Sequence, residues 1–197
     1  MKPDSIRCFA AIEIPERIQA LLAEVQDAFR PKIEKASWTK QGNFHLTLKF
    51  LGDVKSRTIN EISAALQKIV ESQTPFSIEI GGIGAFPNLE RPRVLWVGLK
   101  QGIPLTVKLA RAINHELVKF GFEKDTRFHP HLTLARLRDQ VNLNTFISLF
   151  KKFETLDGTL LTVDKITLVK SELHPSGAVY TPLKLCELGK EKVANGK

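Results

Sequence analysis

His45-Leu46-Thr47-Leu48 recurs as His131-Leu132-Thr133-Leu134, and this repetition decides the fold. In an extended strand successive side chains point to opposite faces, so His45 and Thr47 share one face while Leu46 and Leu48 share the other. The leucines anchor the strand in a core; the imidazole and hydroxyl are presented together on the opposite face. His131 and Thr133 repeat that arrangement. The chain has 5 His, 13 Thr and 25 Leu, so chance repetition of the tetrapeptide has odds of about one in 100,000. An amphipathic strand with a polar face would explain either copy alone, whereas the repetition favours two related lobes sharing one site.

Outward from the motifs, the order of elements also repeats. Residues 6–14 form an apolar run closed by Pro15, a buried strand. Ile18, Leu21, Leu22, Val25 and Phe29 then recur at helical spacing up to Pro31. Residues 44–51 alternate by twos. A second helix carries Ile59, Ile62, Leu66 and Ile69, and strands are expected at 76–80 and 94–99 around a glycine- and proline-rich loop containing Gly81, Gly82 and Gly84. In the second half, Leu105, Leu109, Ile113 and Leu117 mark a helix stopping near Gly121. An alternating strand follows within 128–137, then a short helix at 146–150 and strands at 160–169 and 178–188. The fold class is α+β: a bilobal, pseudo-twofold duplicated fold, with two antiparallel sheets lining a central cleft and helices packed outside. Residues 1–190 read as one domain with intertwined lobes, and 191–197 as a flexible tail.

Composition narrows the classes. Hydrophobic residues are 43% and charged residues 25% of 197, too apolar for a disordered chain. No apolar run reaches the roughly 18 residues of a membrane span, and the N-terminus does not fit a secretory leader. Cys8 and Cys186 make no disulfide framework and no cysteine-rich zinc site, so a cytoplasmic location is expected. The net charge of +8 is spread along the chain. Such a field favours polyanions, although solubility alone would account for it equally well.

Two imidazoles facing one cleft are an acid–base pair, because the ordinary histidine pKa of about 6.5 lets one be neutral and one protonated near pH 7. Threonine hydroxyls donate to anionic oxygens without adding charge. The set suits metal-free phosphoester cleavage.

These motifs and their settings resemble the two-histidine phosphoesterases, and among them the bacterial and archaeal RNA 2′,3′-cyclic phosphodiesterases, also called 2′-5′ RNA ligases. The resemblance rests on RCFAAIEIP at 7–15, Trp38 leading into FHLTLKFLGDV, FPNLERPRVLWVGL at 86–99, FHPHLTLAR at 128–136 and SELHPSGAVYTPL at 171–183. It implies opening of a 2′,3′-cyclic phosphate at an RNA 3′ end to a 2′-phosphate, with reverse ligation in vitro; a monomer needing no cofactor is expected. His45 is then the proton donor, His131 the acceptor, and Thr47 and Thr133 hold the phosphate; the near-identical copies do not by themselves assign the two proton roles.

Arg136 lies five residues after His131, an odd offset that faces away on an ideal strand, so its contact with base or phosphate requires a bulge. Phe9 and Phe50 are candidates for stacking on a base, against the ordinary fate of an aromatic in an apolar strand. A zinc site of His45, His129 and His131 is the metal alternative, but no Asp or Glu beside either motif supports it. His115 reads as surface, His174 as a turn. Two functional alternatives remain: a phosphodiesterase for a small nucleotide cyclic phosphate, and a nonenzymatic nucleotide-binding module.

Overall fold

The computed structural model describes residues 4–139, 142–154, 159–175 and 177–189. The expected tail at 191–197 lies outside them. The motif strands are β3 (His45–Lys55) and β6 (Leu132–Leu137), and they meet antiparallel through one residue pair, Leu46 opposite Leu132. That pair is the same position of each motif, so exchanging the two copies maps the junction onto itself. On one side β3 continues into β1 (Ser5–Glu13), β8 (Lys165–His174) and β9 (Gly177–Glu187). On the other, β6 continues into β5 (Val94–Gln101), β4 (Phe76–Phe86) and β7 (Thr159–Val163), and the short β2 (Ala36–Trp38) also pairs with β6. The two antiparallel sheets are thus joined at one rung, and chain-terminal strands β8 and β9 complete the first sheet.

Four helices, α1 (Glu16–Phe29), α2 (Ile59–Glu71), α3 (Ile103–Glu116) and α4 (Leu143–Glu154), pack on one face of this surface. The α1 face comprises Ile18, Leu22, Val25 and Phe29, all buried, at spacings of four, three and four. Pro31 ends that helix in a 3-10 turn at residues 30–32. Leu46, Leu48, Leu132 and Leu134 point into the same core, each at most 3% exposed. Removing one such leucine side chain costs about 2–5 kcal/mol. The opposite face carries a small buried cluster of Phe9, Ala11 and Val169, with Tyr180 packed against it.

Three local expectations are corrected. Gly81, Gly82 and Gly84 lie inside β4 rather than in a loop. A register shift between Ile80 and Ile83 marks a bulge, where Gly82 adopts φ +71°, and a Cβ on Gly84 would collide with the Trp96 indole. The single strand expected at 160–169 is two strands that break at Asp164 and pair with different neighbours. His174 ends β8 rather than lying in a turn.

Candidate active site

Each motif histidine is oriented by the backbone that leads into it. His45 Nδ1 lies 2.8 Å from the Asn43 carbonyl oxygen, and His131 Nδ1 lies 2.7 Å from the His129 carbonyl oxygen. A carbonyl only accepts, so in both rings Nδ1 carries the proton and donates it, leaving Nε2 of the neutral ring with a free lone pair. The Leu46–Leu132 register sets His45 and His131 as diagonal neighbours on the same face, where backbones are roughly 7–8 Å apart. Both rings line one cavity of about 290 Å³, together with Thr47, Thr133, Arg136, Phe50 and Phe9. All seven side chains singled out from the sequence are therefore at one place.

Arg136 reaches the cavity by the required bulge. Along β5, Leu95 pairs with Ala135 and the next residue, Trp96, with Thr133, so Leu134 is the extra residue. Leu134 and Ala135 are consecutively buried, which flips the strand's phase and turns Arg136 onto the face of Thr133. Within β3 the same device recurs: Leu48 is skipped against β1, Leu48 and Lys49 are both buried, and Phe50 is turned to the cleft. Phe50 is 61% exposed at the cavity. Phe9, by contrast, is 3% exposed and stacks on the His45 ring at 4.5 Å, making it a wall behind the imidazole.

The environments of the two rings are built from different residues. His45 lies between Phe9 and the chain's only tyrosine, Tyr180, which meets it edge-on at 5.1 Å. His131 meets Phe86 edge-on at 5.0 Å, with Trp96 at 6.3 Å. Burial pulls both histidines below 6.5, opposed by the backbone hydrogen bonds; the charge of His131 lowers His45 further, and those of His129 and Arg136 lower His131. An anion between the rings reverses this by favouring imidazolium. Cys8 also lines the cavity, but burial, with Asp53, pushes its thiol up to about 11, so it supplies no thiolate near neutral pH.

The sequence reading missed two buried glutamines seven residues apart on α1. Gln19 donates to the carbonyls of Ile14 and Phe44 and accepts from the amides of Gly42 and Phe44, fixing the turn that ends at His45. Gln26 donates to the Thr39 and Leu134 carbonyls at 2.8 and 2.7 Å, beside Thr133. One helix thus grips both motifs. Tyr180 and Arg7, which also line the cavity, were likewise missed; each sits in a stretch quoted above without any repeat to single it out. His129 and His174 are exposed, as is His115 on α3. Among the described residues, no three of His, Cys, Asp and Glu are grouped to hold a metal.

A family model described as LigT-like phosphoesterase matches residues 12–96 and again 98–180, one motif in each segment. The chain belongs to the LigT-like phosphoesterases. It is 30% identical over 184 residues to the RNA 2′,3′-cyclic phosphodiesterase of Methanothermobacter thermautotrophicus, covering 93% of this chain and 99% of that one. A crystal structure from Thermus thermophilus superposes with a TM-score of 0.79 at 29% identity, covering 94% and 100% of the two chains. E. coli LigT complexed with 3′-AMP gives a TM-score of 0.74 at 26% identity, covering 93% and 98%. Phosphoesterase chemistry is accordingly the chain's enzymatic class, and none of the described helices is long and apolar enough to cross a membrane.

Proposed function

We propose that this LigT-like phosphoesterase opens the 2′,3′-cyclic phosphate at an RNA 3′ end, leaving a 2′-phosphate and a free 3′-hydroxyl. The observation that carries the reading is the pair of imidazoles with Nδ1 committed to backbone carbonyls, lining one cavity from two strands. Water attacks phosphorus as Nε2 of His131 takes its proton; the P–O3′ bond breaks, and Nε2 of His45 gives its proton to O3′. Arg136 near His131 favours a neutral ring there, in keeping with the acceptor role. Each proton transfer contributes about 10²- to 10⁴-fold. Thr47 and Thr133 donate to the nonbridging oxygens, Arg136 balances their charge, and Phe50 offers a face to the base. Every step uses this chain's own groups, so no metal is required. A ribose 5′-hydroxyl in place of water would form a 2′–5′ linkage by the same route, which is the ligation reaction.

Relatives named RNA 2′,3′-cyclic phosphodiesterase and a neighbour complexed with 3′-AMP support an RNA or nucleotide substrate. The test is a short RNA ending in a 2′,3′-cyclic phosphate, incubated with and without EDTA. The expected product is the 2′-phosphate at equal rates in both; a 3′-phosphate product, or loss of activity with chelator, overturns the scheme.

A further inference from the structure

The catalytic cavity, at about 290 Å³, lies at the small end of ligand sites, which run roughly 300–1,000 Å³. It holds the cyclic phosphate end but not a polynucleotide. Among the described residues, two further cavities share lining side chains with it. One, behind Phe9 and Tyr180, is lined by Glu13 and, apart from His45 itself, by no basic side chain. The other is a groove of about 600 Å³ between β3 and residues 121–127, and it shares Phe50 with the catalytic cavity.

We propose that this second groove receives the nucleotide upstream of the cyclic phosphate, making the substrate an RNA end of two or more nucleotides rather than a mononucleotide. This deepens the cyclic-phosphate reading and rests on it. Phe50 stands where the two spaces meet, exposed, with its ring available to a base. Lys124 and Arg127 are exposed on the far wall, accompanied by Glu123 and Asp125. Asp125 is partly engaged, since its Oδ1 accepts from the Arg127 backbone amide at 3.0 Å.

The wall is preorganised. Lys49 is 7% exposed, and its ammonium donates to Asn114 Oδ1 at 2.7 Å and to the Glu123 carbonyl at 2.5 Å. Asn114 in turn bonds both the amide and the carbonyl of Asp125. A loop ordered before binding loses little entropy when a ligand arrives, so its side chains act as a fixed surface. Its cations suit a phosphodiester leaving the catalytic cavity past Phe50, whereas the rival exit offers the carboxylate of Glu13 and no lysine or arginine.

The experiment compares kcat/KM for adenosine 2′,3′-cyclic phosphate with that for ApA carrying the same cyclic end, at 50 and 200 mM salt. The dinucleotide is expected to be favoured by about tenfold or more, with the steeper loss in high salt. The Lys124→Ala/Arg127→Ala double variant is expected to lower the dinucleotide value about five- to tenfold and the mononucleotide value less than about twofold. Equal values for the two substrates, or an undiminished preference in the double variant, overturn the subsite. Failure to open either substrate overturns instead the reading on which it rests.

Discussion

β3 and β6 enter the cleft alike: each histidine donates Nδ1–H to the carbonyl two residues back, and each strand bulges at the fourth and fifth residues of its motif. They part company at the next residue, five after the histidine. There β3 presents the apolar ring of Phe50 and β6 the cation of Arg136. The surroundings also differ, with Phe9 and Tyr180 about one ring and Phe86 and Trp96 about the other. The repeat keeps the tethering of the two rings and varies the residue beside them; in the reaction proposed above, that sets base on one flank and phosphate on the other.

The sharpest way to break this comparison is to remove one imidazole at a time. His45→Gln and His131→Gln are each expected to lower kcat by about 10²- to 10⁴-fold. The pH dependence separates them. Burial depresses both pKa values, so the wild-type kcat/KM bell is expected to centre below 6.5; each variant should lose a different limb, His131→Gln the acidic one and His45→Gln the basic one. Loss of the same limb in both would end the division of labour.

A smaller effect distinguishes Arg136 from Phe50. Arg136→Ala is expected to reduce kcat/KM by about 30-fold and flatten its salt dependence, whereas Phe50→Ala reduces it about tenfold, chiefly through KM, with the salt slope unchanged. Steady-state kinetics at two ionic strengths read both. Smaller still is the effect of the helix that frames both strands. Gln19→Leu leaves the Phe44 amide and carbonyl unpaired, and is expected to cost roughly 2–3 kcal/mol in urea denaturation and about threefold in kcat, with Gln19→Glu recovering part of each.

Much of this was legible in sequence because period and repetition carry it: His-x-Thr-x alternation set the cleft face, and the α1 spacing set its core face. The continuation of β4 through Gly81–Gly84 was not, since glycine is a turn signal until one knows that the Trp96 indole covers Gly84. The break at Asp164 was hidden because an apolar run does not reveal that its halves pair with different strands. Gln19 and Gln26 were illegible for another reason: polar residues within an apolar helical pattern acquire meaning only from the backbone groups they meet, 13 to 108 residues away for three of their four donated bonds.

The paired bulges have one more consequence. By rotating a single residue per strand into view while Leu48 and Leu134 stay packed, they give the scaffold two positions, 50 and 136, whose side chains can vary without moving the strands that carry the histidines. A side chain exchanged at either place alters the lining of the cleft and leaves the backbone tethers of both imidazoles intact.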